Sequence, residues 1–283
     1  MHVGASIFFT DYSISPAELA RAMEERGFES LWAAEHSHIP LSRKSPWGGG
    51  GELPKQYYDV MDPFVTLAVA AAVTTKLKVA TGVCLVNQRD PIQTAKLVAS
   101  IDQTSNGRFL FGIGNGWNQD EMENHGTVFA TRHKLVRERI EAMKAIWTQD
   151  VAEYHEEFVN FDRMNAWPKP VQKPHPPIIL GGAYPYAARR AVRYGDGWIP
   201  LAGRPGQYGD VFDYVPKFRD MLREAGRDPA AFPVSLFSST QNPDTLLRYQ
   251  ELGLVRIVVS LPAAKADVVL PILDRWAEVI RTM

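Results

Sequence analysis

Eight short apolar strands alternate with about eight helical stretches along the 283 residues. An alternation of this kind means a parallel sheet flanked by helices, and eight such units in this length are the size of a closed (β/α)8 barrel, the TIM barrel. The competing open, doubly wound sheet carries a glycine fingerprint directly after its first strand. Here that strand ends Phe8-Phe9-Thr10-Asp11, with no such fingerprint. The sequence therefore predicts one α/β domain over 1–283, a barrel with an irregular excursion between the fourth and fifth strands.

Residues 3–9 read as a buried first strand. Over 16–26, Leu19, Ala20 and Met23 alternate at helical spacing with Glu18, Arg21, Glu24 and Glu25, with Pro16 suited to the first turn and Gly27 to the C-cap. Ser30-Leu31-Trp32-Ala33-Ala34 is the second strand, and a strand–helix–strand unit implies parallel pairing. Residues 37–60 are irregular, with Pro40, Pro46, Pro54 and a glycine run over 48–51. A loop of that length in a compact domain is commonly a lid or a binding loop. Asp62-Pro63 and Asp90-Pro91 each open a helix by one device, a capping carboxylate followed by a first-turn proline. The third strand, 77–86, lies between those helices, and Ser105-Asn106-Gly107 turns the chain into the fourth, 108–113. The pattern then breaks until Thr131, an amphipathic helix spans 132–147, and 152–177 is the excursion, with a short strand or hairpin at 158–161. Strands five to eight fall at 178–180, 197–200, 234–237 and 256–260, with helices at 186–194, 212–225 and 244–252 between them. The last helix covers 267–280, where Pro271 is tolerable only near the first turn.

A net charge of -1, from 31 basic and 32 acidic side chains, leaves no electrostatic footprint for nucleic acid or an anionic membrane. The single cysteine, Cys84, excludes an internal disulfide framework and any multi-cysteine metal site. The longest apolar run, near 65–73, is too short to span a bilayer. Met1-His2-Val3-Gly4 has no basic segment leading into an apolar run, so a cytoplasmic protein acting on a small molecule is the expectation.

Barrels of this kind place their chemistry at the C-terminal strand ends. The second strand ends Glu35-His36-Ser37-His38, and a carboxylate beside an imidazole suits acid–base work. The competing reading is a helix cap or an ion pair with a loop arginine. His36 and His38 also resemble paired metal-binding histidines. The ends of strands five, six and eight (Leu180-Gly181-Gly182, Ile199-Pro200, Val259-Ser260) supply no further ligand, which argues against a metal hydrolase. Gly181-Gly182-Ala183 is either a backbone cradle for phosphate or a tight turn. Gly112, Gly114 and Gly116 lack the spacing of a dinucleotide fingerprint. They either keep a strand end slim against a planar ring or serve barrel packing. Cys84 reads as a small buried hydrophobe rather than a nucleophile.

Several stretches taken together in order carry a resemblance. They are Gly27-Phe28-Glu29-Ser30-Leu31-Trp32, Glu35-His36, Thr81-Gly82-Val83, Gly107-Arg108-Phe109 and Gly112-Ile113-Gly114-Asn115-Gly116-Trp117, followed by Pro177-Ile178-Ile179-Leu180-Gly181-Gly182 and Gly195-Asp196-Gly197-Trp198. In this combination the chain resembles the bacterial luciferase-like family of (β/α)8 oxidoreductases, and within it the branch that uses the deazaflavin coenzyme F420. The resemblance implies hydride transfer between F420 and a small organic substrate under the 37–60 segment. It implies a non-prolyl cis peptide at a bulge in the third strand, Gly82–Val83 here, with Thr81, Gly82 and Val83 supporting the coenzyme's ring. It sets Glu35 and His36 at the reactive edge as the catalytic pair, and Asn115, Gly116 and Trp117 on the opposite lip. It sets Gly181, Gly182, Ala183, Ile199, Pro200 and Leu201 around the coenzyme's phosphate. Leu201 stands in place of a hydroxyl residue there, which leaves the backbone to serve. Some relatives carry a catalytic glutamate where Trp117 stands, and its absence argues against a sugar-phosphate reaction. For the anionic tail, Arg43, Lys44, Lys55, Arg89 and Arg204 are the basic candidates. Two other readings stay open, an FMN-dependent monooxygenase on the same barrel and a non-catalytic flavin- or deazaflavin-binding protein. By analogy with relatives, a homodimer is expected.

Overall fold

The computed structural model describes residues 1–201 and 208–283; Arg204 lies outside the described residues. Strands β1 (His2–Ile7), β2 (Ser30–Ala33), β3 (Lys78–Thr81), β4 (Cys84–Leu85) and β5 (Phe109–Gly114) come from the first half of the chain. A hairpin, β6 (Val151–His155) and β7 (Asn160–Asn165), stands apart, and β8 (Ile178–Gly181), β9 (Gly197–Ile199), β10 (Ser235–Phe237) and β11 (Arg256–Ser260) complete the sheet. All pairings in the main sheet are parallel, in the order β10-β11-β1-β2-β3-β5-β8-β9, with β4 also on β5. The sheet closes where Trp198 bridges Val234 and the Trp198 N–H donates to Pro233 O at 3.1 Å. The eight-stranded barrel expected from the alternation is therefore present, with its third strand broken into β3 and β4.

Helices α1 (Pro16–Glu25), α2 (Pro63–Ala72), α3 (Pro91–Thr104), α4 (Gln119–Asn124) and α5 (Arg132–Thr148) flank the first strands. They are followed by α6 (Tyr186–Tyr194), α7 (Val211–Glu224), α8 (Pro243–Glu251) and α9 (Ala266–Thr282). The Asp-Pro starts act as their chemistry requires. Asp62 Oδ1 accepts from Phe64 N at 2.8 Å, and Asp90 Oδ1 accepts from Gln93 N at 2.8 Å. Asn118 caps α4, a helix inside the segment where the sequence showed no pattern. Six residues hold too little periodicity to be seen.

Strand residues alternate between two cores. Trp32, Ala80, Leu110, Ile179, Ile199 and Val258 fill the barrel's interior. Their neighbours Leu31, Val79, Phe109, Phe111, Leu180 and Ile257 pack outward into the layer shared with the helices. Trp32 is fully buried and its indole N–H donates to Ser30 Oγ at 2.8 Å, so the large plug keeps its polar edge satisfied. Among the described residues no helix is long and apolar enough to cross a membrane.

Candidate active site

At the C-terminal ends of the strands a cavity of about 340 Å³ opens above Trp32. Its floor is Gly82, Val83, Gly114 and Gly181. The Gly82–Val83 peptide is cis, at the bond where the family resemblance placed one. The bulge between β3 and β4 presses on β5, and this decides why β5 carries glycine. A Cβ on Gly112 would stand 2.0 Å from Thr81 O, and one on Gly114 would stand 2.6 Å from Val83 Cγ2. Gly112 is closed to any side chain by the backbone of β3, and Gly114 is crowded by the Val83 side chain of the bulge. For these two glycines the packing reading holds, and the slim floor is its consequence.

Glu35 and His36 leave β2 side by side, but their surroundings differ. Glu35 Oε1 accepts from Arg89 Nε at 2.5 Å, and its Oε2 accepts from Leu85 N at 2.6 Å. Arg89 also donates to Asp62 Oδ2 at 2.5 Å. Glu35 thus ties the bulge to the cap of α2. Burial opposes the charge of Arg89, but Glu35 outweighs it and holds the guanidinium above its ordinary range. Burial, reinforced by Glu35, pushes the Cys84 thiol well up, so this buried cysteine is a thiol and not a thiolate.

His36 instead turns one ring nitrogen to a carboxylate that the sequence did not single out. Its Nδ1 lies 2.7 Å from Glu121 Oε2, with the two side chains 6% and 0% exposed. The Ser37 N–H donates to Glu121 Oε1 at 3.0 Å. Tyr57 and Trp117 hem the imidazole, with ring centroids 5.4 and 5.9 Å away. Phe8 extends this apolar wall, 4.6 Å from Tyr57. Tyr57 comes from a single 3-10 turn, Lys55–Tyr57, in the 37–60 segment, so that segment does form a wall of the cavity.

The opposite end is cationic. His133, from the first turn of α5, and Arg190, from α6, both line the cavity. Arg132 Nε, His133 Nδ1 and Arg190 Nε are buried atoms without a hydrogen-bond partner. Burial, then the charges of Arg190 and Arg132, push His133 down to about 4. Asn115 Oδ1, at the lip, is likewise buried and unpartnered. The open guanidinium donors of Arg132 and Arg190 suit an anionic group, while Asn115 Oδ1 can only accept.

Of the other expected site residues, Asn115, Gly116 and Trp117 form one lip, and Gly182, Ile199 and Leu201 line the cavity. Thr81, Ala183 and Pro200 do not line it. Thr81 is fully buried and donates through Oγ1 to Gly112 O at 2.6 Å. Of the basic candidates, the four among the described residues are engaged elsewhere. Lys44 pairs with Asp120 and Glu123, Lys55 with Asp59, Arg89 with Glu35 and Asp62, and Arg43 donates to Tyr58 and to Pro40 O. His133, Arg190 and Glu121 escaped the sequence reading because they sit on helices rather than strand ends. The one signal for them is the pair Arg132-His133 opening a helix after an irregular segment.

The profile of the luciferase-like monooxygenase family matches residues 15–252. An uncharacterised protein of Mycobacterium tuberculosis is 39% identical over 98% of each chain. Among solved structures, an F420-dependent secondary alcohol dehydrogenase bound to an F420–acetone adduct superposes with a TM-score of 0.75 at 18% identity, covering 99% of both chains. The oxygenating constituent of 3,6-diketocamphane monooxygenase from Pseudomonas putida, in complex with FMN, gives 0.63 at 20% identity, covering 84% of this chain and 67% of that one. These structures share the barrel, and the profile match over most of the length fixes the kinship: the chain belongs to the luciferase-like monooxygenase family of oxidoreductases.

Proposed function

We propose that the protein is an oxidoreductase that passes a hydride between the deazaflavin coenzyme F420 and a small uncharged organic substrate. One observation carries the reading. The cavity joins a flat apolar floor to a cationic end with unpartnered donors, and a catalytic-type imidazole stands at its other wall. That is the outline of a planar ring with an anionic tail. Gly82, Val83, Gly114 and Gly181 would lie under the ring, Asn115 and Trp117 beside it, and His133 and Arg190 at the tail. When bound, the coenzyme supplies the hydride. The chain orients the substrate against it with Phe8, Tyr57 and Trp117, shields the site from water with the 37–60 segment, and moves a proton at His36. Glu35, with both oxygens taken, holds the bulge in place beside the reacting groups.

Among the described residues the aromatic wall around His36, Phe8, Tyr57 and Trp117, carries no cation, which favours a carbonyl compound or alcohol over a phosphorylated one. F420 is preferred over FMN for the resemblance of Glu35-His36 and Thr81-Gly82-Val83 to the F420-using branch. The test is a side-by-side spectroscopic titration with F420 and FMN. Saturable binding of F420, tighter than that of FMN, is expected. Binding of FMN alone, with oxygen uptake, would move the protein to the monooxygenase reading. Binding of neither sinks the proposal. We further propose a homodimer, built on α2 and α3, which present Val65, Val69, Ile92 and Leu97 to solvent.

A further inference from the structure

We propose that Glu121 is the positioning residue of this site. It fixes the His36 imidazole with its proton on Nδ1, so that Nε2 is the nitrogen offered to the substrate oxygen. The inference rests on the oxidoreductase reading above.

The geometry gives the carboxylate two separate tasks. Glu121 Oε1 accepts from the Ser37 backbone N–H at 3.0 Å, and Oε2 stands 2.7 Å from His36 Nδ1. An ionised carboxylate only accepts. Its partner on the imidazole is then an N–H, and that N–H is Nδ1. With Nδ1 on Glu121, Nε2 is the ring nitrogen left for the cavity that His36 lines. Glu121 is fully buried and reaches His36 from 85 residues away because Asn118 caps α4 and starts it at the right height. The 37–60 segment holds that helix down. The Lys44 N–H donates to Asp120 Oδ2 at 2.9 Å, and the Gln119 N–H donates to Ser45 Oγ at 3.2 Å. The loop that covers the cavity therefore also holds the helix that carries the carboxylate.

The step balances as follows. In carbonyl reduction the substrate carbon takes the hydride, the C=O π pair moves to oxygen, and that oxygen takes the proton from His36 Nε2. The imidazolium becomes a neutral imidazole whose remaining proton stays on Nδ1 against Glu121. In alcohol oxidation the same bonds break and form in reverse, with neutral Nε2 as the base. A ring whose proton rested on Nε2 would have no lone pair for that second role.

Glu121→Gln separates positioning from packing, because the side chain keeps its shape. An amide has one oxygen and one NH2. The Ser37 N–H requires the oxygen, so the NH2 meets Nδ1, which must accept, and the imidazole proton is driven to Nε2. The measurement is the histidine 15N–1H long-range spectrum of the protein without coenzyme, with the His36 signals assigned from their loss in His36→Asn. In the wild type the protonated nitrogen is expected to be Nδ1, and in Glu121→Gln it is expected to be Nε2. The variant's kcat should fall by about 10²–10⁴, the scale known for a tautomer swap at a catalytic histidine, with KM and coenzyme Kd unchanged. A wild-type imidazole protonated on Nε2 overturns the proposal, and so does a variant that keeps both tautomer and kcat. If Glu121→Gln does not fold, the wild-type spectrum still decides. Failure of coenzyme binding would remove the oxidoreductase reading and leave the tautomer result standing.

Discussion

His133 carries the sharpest pH signature among the residues of the cavity. Burial and two guanidinium neighbours depress it from 6.5 to about 4. Between those values the unfolded chain binds a proton that the native chain refuses, so the unfolded state binds more protons and stability rises with pH. The site's contribution is complete above 6.5 and is lost as pH falls toward 4. An anion seated between His133 and Arg190 reverses the local field and favours the imidazolium. Binding of the anionic coenzyme should therefore take up a proton below neutrality, and affinity should strengthen as pH falls from 7 to 5.5. Titration calorimetry in two buffers of different ionisation enthalpy measures this directly. Proton uptake that vanishes in His133→Asn is the expected result. Uptake unchanged in that variant would place the anion elsewhere.

At the scale of elements, the broken third strand and β5 have to be read as one unit. The clash that forbids a side chain at Gly112 is with backbone, Thr81 O at 2.0 Å, and nothing there can yield. At Gly114 the obstacle is the Val83 Cγ2 methyl at 2.6 Å, which a second substitution can remove. Gly114→Ala alone should cost about 1–3 kcal/mol, as overpacking does. Paired with Val83→Ala it should recover a coupling energy of about 1 kcal/mol or more in urea denaturation. Additive losses would show that the two residues do not meet. The sequence revealed the glycines and, through the family resemblance, the bulge, but not which of the two explains the other. That needs the register of β3 and β4 on β5, a tertiary fact. The same limit hid Glu121. Its role depends on a six-residue helix folding back onto the end of β2, and neither periodicity nor strand-end position reports that contact. That His36 lines the cavity was legible because it sits at a strand end, the face where such barrels place their sites. The loop cations Lys44, Lys55 and Arg89 are paired, which the sequence did not show, since charge alone does not tell a paired cation from an open one.

The whole barrel was legible because its order follows chain order. Each strand pairs with its sequence neighbours, so counting alternations is enough, and only the closing β9–β10 seam rests on a single bridge. What alternation does not reveal is which outer helices are covered by another copy. A helix on a lone barrel shows a polar outer face, yet α2 leaves Val65 at 65% and Val69 at 42% exposure, one turn apart. Ile92 and Leu97 continue the apolar surface on the next helix, α3. Exposed apolar side chains on these two helices are the reason for the proposed dimer. A dimer closed by a two-fold axis would set the patch against itself, α2 and α3 of one protomer on those of its partner. Sedimentation equilibrium at micromolar concentration should give twice the 31.7 kDa mass of the chain. Val65→Glu with Val69→Glu should give the single mass, because two buried carboxylates would face their own copies across the axis. Both side chains are exposed on one protomer, so the change should leave the fold's stability within about 0.5 kcal/mol per site, and the circular dichroism unchanged. A wild-type chain that sediments as a monomer would refute the dimer, and a charged variant that stays dimeric would move the interface to another face.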